Sequence, residues 1–413
     1  MTTSSKTIPH PFHVLSKPAG AACNLACEYC FYLDKDKLYP GSRLRMTDEV
    51  LNAYINQLLT SQPIPEVSVA WQGGEPTLMG LDFFKRSVDL VKKYKRPSQQ
   101  VNYTLQTNGT LLDDEWCTFF KKNSFLVGLS CDGPAEMHDA YRVDKGGQGS
   151  FKQVKRGWDL LQKHGVETNI LCAVHAANSH HPLNVYRFFR DNLQARFIQF
   201  IPVVERVFPR TRLQAKMDAL KPEGREQRLH LIEPINVSPR SVNPKQYGKF
   251  LIDIFDEWVQ HDVGTMFVQM FDSSLASWCG LPASVCVFQE TCGRSLVLEH
   301  NGDIYSCDHF VEPSHRLGNI LEKPMPDLVN SLNQRNFGLN KHEELPTTCR
   351  ECDVGFACQG ECPRNRFPKP PDYNERLNFL CEGYRLFFRH VDRPMQKMAE
   401  LLRNGKSATE IMG

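Results

Sequence analysis

The stretch "CNLACEYCFY", residues 23–32, places Cys23, Cys27 and Cys30 in a CxxxCxxC spacing soon after a short β-rich run, "FHVLS" at 12–16. Three thiolates on one short loop can ligate three irons of a cubane cluster and leave the fourth iron open to an outside ligand. A zinc ion, the simpler alternative, normally takes two close pairs that complete a tetrahedral shell. The aromatic Phe31 and Tyr32 that follow directly weigh for the cluster.

The whole chain reads as an ordinary folded soluble protein. Its 413 residues, 41% hydrophobic and 23% charged, suit a folded protein of two or three packed modules. Because 49 basic residues balance 47 acidic ones, no overall field points to nucleic acid or an anionic membrane. The local basic runs "VKKYKR" and "KRGWDLLQK" carry apolar residues at helical spacing and read as solvated helix faces. The start, "MTTSSKTIPHPFHVL", lacks a continuous apolar segment, and no apolar run reaches the ~18 residues of a membrane span. A cytoplasmic location is expected. There fifteen cysteines cannot easily persist as disulfides, and the number is odd, so metal binding is the leading explanation.

Outward from the loop, strand-like runs alternate with helical patterns: "FHVLS", "VSVAW" (67–71), "VNYTLQ" (101–106), "FLVGLS" (125–130), "ETNILCAV" (167–174) and "FIQFIPV" (197–203). Between the first two, "MTDEVLNAYINQLLTS" offers Thr47 as a cap and sets Val50, Leu51, Tyr54, Ile55, Leu58 and Leu59 on one face. Six strand–helix units predict an α/β fold with a parallel sheet, as a partial (β/α)6 barrel. From about 206 to 244 periodicity gives way to charge and proline, as in a long connection or insertion. A helix, "PKQYGKFLIDIFDEWVQHD", follows, and then a cysteine-organised tail. The expected units are a barrel over 1–235, a helical linker over 236–285, a cysteine-rich module over 286–385 and a terminal helix over 386–413.

With these motifs in place, the chain resembles the radical S-adenosylmethionine (SAM) enzymes. Their CxxxCxxC loop follows the first barrel strand, and a glycine-rich turn follows the second; here that turn is "WQGGEP" at 71–76. In that family the methionyl amine and carboxylate of SAM chelate the open iron, and one-electron reduction yields a 5'-deoxyadenosyl radical. The resemblance implies Gly74 near the methionyl group, Tyr29 beside the adenine through its backbone, Ser130 ("GLSCDGP") and Arg142 ("HDAYR") on ribose and carboxylate, and Val204 as an adenine contact. The plain alternatives are a turn-capping hydroxyl for Ser130 and a surface ion pair for Arg142.

Cys286, Cys292, Cys307, Cys349, Cys352, Cys358, Cys362 and Cys381 make eight tail thiols, enough to ligate two further four-iron clusters. Two closed zinc sites are the alternative. Their order is similar to the SPASM auxiliary-cluster domain of the anaerobic sulfatase-maturating enzymes. That resemblance implies one cluster on Cys286, Cys292, Cys307 and Cys362 and another on Cys349, Cys352, Cys358 and Cys381, three [4Fe–4S] clusters in all. Cys117, Cys131, Cys172 and Cys279 read as packing, and His180 and His181 as polar residues at a helix start.

The resemblance, which extends through "QTNGTLL", "FIQFIPVVER" and "NGDIYSCDHF", implies oxidation of a cysteine or serine in a sulfatase polypeptide to Cα-formylglycine. It implies an extended, unfolded polypeptide substrate, a flavodoxin- or ferredoxin-type electron donor, and a monomer. Asp308 is expected to be the base that takes the substrate proton, tuned by burial toward useful basicity. Its plain alternative is a turn aspartate after the "NGD" hairpin. Tyr32 and Gln72 face either substrate or the barrel mouth. Rival readings are another SPASM peptide maturase that forms thioether or carbon–carbon crosslinks, and a zinc-stabilised binding protein without catalysis.

Overall fold

The computed structural model of the chain describes residues 11–207, 236–368 and 375–413. Six strands, β1 (His13–Lys17), β2 (Glu66–Trp71), β3 (Gln100–Thr107), β4 (Phe125–Ser130), β5 (Glu167–Val174) and β6 (Phe197–Pro202), pair in that order, all parallel. Parallel neighbours need a crossover, and helices supply it. The helix Asp48–Ser61 begins where the Thr47 hydroxyl accepts from the Val50 amide at 3.3 Å. It buries Val50, Leu51, Tyr54, Ile55, Leu58 and Leu59, the face that the spacing predicts. This is the expected partial barrel.

The sheet does not stop at the barrel. The strand β7 (Arg206–Val207) pairs only with β8 (Asn236–Val237), whereas β9 (Phe267–Val268) adds to the outer edge of β6. On the other side β10 (Ser295–Glu299) lies parallel to β1, from His13 opposite Ser295 to Lys17 opposite Glu299. It continues antiparallel into β11 (Asp303–Tyr305) and β12 (Arg316–Asn319). The cysteine-rich tail therefore shares a ten-stranded sheet with the barrel.

Two large cores flank the sheet. One packs the helices Asp48–Ser61, Leu81–Tyr94 and Asp114–Lys122 around Trp71 and Phe84. The other packs Pro244–His261, Gln269–Trp278 and the long helix Cys381–Arg403 against β5 and β6. The terminal helix thus begins at Cys381 rather than at 386. Most of the connection expected over 206–244 lies outside the described residues. Among the described residues no helix is long and apolar enough to cross a membrane.

Candidate functional site

The cluster loop leaves the end of β1 and is braced on both sides. On one side it runs antiparallel to residues 141–144: the Ala26 amide donates to the Val143 carbonyl at 2.8 Å and the Glu28 amide to Tyr141 at 2.9 Å. On the other, "GGEP" folds back on it, with the Gly74 amide on the Gly20 carbonyl and the Glu75 amide on Ala22, both at 2.8 Å. A Cβ on Gly74 would stand 2.0 Å from the Ala22 oxygen, so only glycine admits this approach. Glu75 is fully buried and accepts from the Thr77 amide, the Thr77 and Thr107 hydroxyls and the Asn108 amide at 2.7–3.0 Å. Asn108 in turn donates to Asn24 at 2.9 Å, inside the loop. "GGEP" and "QTNGT" therefore clamp the stretch that carries Cys23.

Behind the loop lies a buried charge. Tyr29 Oη and Arg142 Nε donate to one oxygen of Asp132, at 2.5 and 2.8 Å, and the Ala173 amide donates to the other at 2.9 Å. Burial alone would raise the Asp132 pKa; Arg142, and then His175, instead hold it well below the usual carboxylate range. His138, whose Nε2 meets Ser150 Oγ at 3.0 Å, is pushed down to about 3, chiefly by burial. Arg142 is thus a buried partner of Asp132, not a surface ion pair.

The cysteines gather in three sets. Burial pushes Cys23 up to about 12; the Leu25 amide on its sulfur opposes this, while Glu75, Cys27 and Cys30 add to it. In the tail, burial and then Asp308, Cys286 and Cys292 raise Cys307 to about 12. Cys362 is raised by burial, Glu361, Cys307 and Cys286. In the third set Cys358 is raised by burial and then by Cys381, Glu361 and Cys349. Cys381 reaches about 11 through burial, Cys349 and Cys352. Among the described residues no three His, Cys, Asp or Glu side chains converge on one point as a single closed ion would gather them. The all-thiol sets would suit cubane clusters, the three-thiol loop leaving one iron open to an outside ligand. Iron would replace the protons that crowding and burial keep on the sulfurs.

Asp308 departs from expectation. Burial does push its carboxyl up, but the Lys17 ammonium, in contact with Oδ1, and His309 outweigh that and hold it below the ordinary carboxylate range. Lys17 ends β1, is 1% exposed, and also lies 3.8 Å from the centroid of the Tyr32 ring. Tyr32 is itself buried with its hydroxyl on Glu299, so it packs the barrel mouth. His309 Nδ1 lies 3.7 Å from Cys362 Sγ, which joins "YSCDHF" to the "CQGEC" stretch.

Ser130 accepts from Gln106 Nε2 at 3.1 Å on the barrel's inner face, and Val204 is half-buried against the second core. The Gln72 amide donates to Ser16. Cys117, Cys131 and Cys172 are buried, as packing residues should be, while Cys279 is only half-buried. A cavity of about 620 Å³ opens at the starts of β4–β6, between Leu126, Asn169, Gln199 and Phe267; no cysteine lines it. Sequence reasoning assigned no role to Lys17, Glu75, Asn108 or Asp132. Three of these sit inside quoted motifs, "GGEP", "QTNGT" and "GLSCDGP", which was the available signal.

Comparison with known proteins agrees with this anatomy. The radical SAM superfamily profile matches residues 18–189 and the SPASM iron–sulfur cluster-binding profile residues 286–353. The chain is 46% identical to a serine-type anaerobic sulfatase-maturating enzyme of Bacteroides thetaiotaomicron, over 97% of this chain and 94% of that one. It is 35% identical to a cysteine-type enzyme of Clostridium perfringens, over 92% and 96%. The solved structure described as native anSMEcpe with bound AdoMet and Cp18Cys peptide superposes with a TM-score of 0.81 at 33% identity, covering 95% of this chain and 99% of that one. A radical SAM module joined to a SPASM module makes SAM and [4Fe–4S] clusters its cofactors. The chain belongs to the anaerobic sulfatase-maturating enzymes, radical SAM oxidoreductases with a SPASM domain.

Proposed function

We propose that this enzyme oxidises a serine of an extended sulfatase polypeptide to Cα-formylglycine, with Asp308 as the proton acceptor. The observation that carries the reading is a junction: Asp308 follows Cys307 of a tail thiol set and contacts Lys17, the last residue of the strand that leads to the cluster loop. The pairing of β1 with β10 brings these together. Serine is favoured by one serine-type relative at 46% identity; serine-type and cysteine-type relatives otherwise stand level, at 33–35%.

Cys23, Cys27 and Cys30 would hold the cluster that binds SAM, with Tyr29, Gly74, Ser130, Arg142 and Val204 around the cofactor. Cys286, Cys292, Cys307 and Cys362 would hold one auxiliary cluster, and Cys349, Cys352, Cys358 and Cys381 the other. The mutual effects within each thiol set support that pairing. When bound, these groups supply removal of one Cβ hydrogen atom and uptake of one electron. The chain's own part is the remaining proton: Asp308, kept ionised by Lys17, accepts it from the substrate hydroxyl as the carbonyl forms. Lys17 keeps the carboxylate in one place, and the Asp132–Arg142 pair keeps the cluster loop in another. An electron donor of flavodoxin or ferredoxin type would reduce the first cluster.

The test is anaerobic incubation of the reconstituted enzyme with SAM, reductant, and sulfatase-derived serine and cysteine peptides, read by mass spectrometry. Aldehyde is expected, faster on serine. Asp308→Asn should keep iron and SAM cleavage but yield no aldehyde. Aldehyde at the parent's yield from that variant would remove Asp308 from the reaction.

A further inference from the structure

The stretch Cys358–Cys362 joins the two tail thiol sets, and its backbone is coiled the wrong way for most residues. Gln359, Gly360 and Glu361 take φ values of 50°, 65° and 50° in succession. For the two that carry side chains this region costs about 1 kcal/mol or more each. The chain then reverses within a few residues. Cys358, before the turn, stands with Cys381 and Cys349; Cys362, after it, stands with Cys307 and Cys286.

A single side chain meets the carbonyls of all three turn residues. Arg366 donates from Nε to Gly360 at 3.0 Å, and from Nη2 to Gln359 at 3.3 Å and to Glu361 at 3.2 Å. Its Nη1 donates to the Lys341 carbonyl at 2.7 Å, which ties the turn to the helix Leu332–Glu343. A Cβ on Gly360 would stand 2.4 Å from Leu345 Cδ2 and 2.8 Å from Nη2, so glycine leaves room for both side chains. The Glu361 carboxylate accepts from Asn378 and Asn365. The thiols of Cys349 and Cys358 from one set and Cys362 from the other, together with the Glu361 carboxylate, lie close enough to act on the Arg366 charge.

We propose that Arg366 is a positioning residue for the junction of the two auxiliary clusters: its guanidinium clamps the left-handed turn that assigns Cys358 to one cluster and Cys362 to the other, and its charge favours reduction of both. The charge effect follows from elementary electrostatics. Reduction adds a negative charge to a cluster, and a nearby cation stabilises that state, since net charge and hydrogen bonding set cluster potentials. The inference rests on the two-cluster reading above.

The experiment uses the full-length enzyme, reconstituted anaerobically, with iron analysis and a redox titration followed by electron paramagnetic resonance. Arg366→Met should lose tail iron and make one-electron reduction of the remaining tail clusters at least about tenfold less favourable, a fall of about 59 mV. Adding Gln359→Gly removes much of the turn's strain. In that double variant iron should return while the potentials stay low, which a purely structural role for Arg366 would not produce. Full iron and unchanged potentials in Arg366→Met would overturn the proposal, as would failure of Gln359→Gly to restore iron. A parent enzyme carrying zinc, or about eight irons in place of about twelve, would instead overturn the two-cluster reading, and this inference with it.

Discussion

The loop 23–30 and the turn 358–362 both present cysteines, yet they are held in opposite ways. Around the first, the left-handed positions Gly20 and Gly73 are glycine, and Gly74 lets two backbones meet directly. Its thiols lie within one short segment strapped by main-chain bonds. Around the second, Gln359 and Glu361 carry side chains at left-handed positions, and a guanidinium holds them. Its thiols come from separated segments. A site built from local backbone is organised before metal arrives, whereas one built from distant thiols depends on a cation and on the fold.

Removing one thiol from each region should have the most severe consequences. Cys27→Ala should abolish SAM cleavage while leaving tail iron in place. Cys362→Ala should keep SAM cleavage, lose tail iron and yield no aldehyde. Chromatography of 5'-deoxyadenosine beside iron analysis separates the two, and loss of cleavage in both variants would show that the regions do not fail independently.

Next in size is Asp132→Asn, which keeps the shape but leaves Arg142 buried without its partner charge. Breaking a buried pair costs about 3–5 kcal/mol. Anaerobic urea unfolding should show that loss, with iron falling at the first cluster and not in the tail. A change within about 0.5 kcal/mol, the range of an ordinary surface substitution, would mean that the pair does not hold the loop. Gly74→Ala should follow, at about 1–3 kcal/mol for forcing a methyl toward the Ala22 carbonyl, read in the same unfolding assay. Its damage too should stay at the first cluster.

The same contrast explains what could be read from the chain alone. The six barrel strands lie within about two residues of their expected bounds, because alternation and helical spacing are local signals. "CNLACEYC" is local as well, and its spacing, with the aromatic pair that follows, points to its chemistry. The interleaving of Cys362 with Cys286 and Cys307 is not local and came through family resemblance. The parallel pairing of β1 with β10 joins residues far apart in the chain, so nothing near Lys17 announced that it would meet Asp308. That is also why burial suggested a raised pKa for Asp308 when the assembled site lowers it: the sign depends on a cation that the fold supplies. Asp132 and Arg366 were hidden for the same reason, since their partners are assembled by the fold.

The turn 358–362 can be probed without touching any thiol. Gln359→Gly in the otherwise unchanged enzyme should move stability by no more than about 1.5 kcal/mol. Relief of a left-handed φ is worth about 1–2 kcal/mol, but glycine's extra freedom in the unfolded chain takes back about 0.5–1. The Gln359 side chain offers little else to lose, because its one bond, to the Phe356 carbonyl at 3.0 Å, is exposed. With Arg366 present the turn is already held, so the glycine has little left to relieve. In the Arg366→Met background the same change should matter more, and the difference between the two backgrounds is the coupling between clamp and strain. Equal effects in both, measured by anaerobic urea unfolding, would show that the turn keeps its shape without the arginine and that the two regions are held alike.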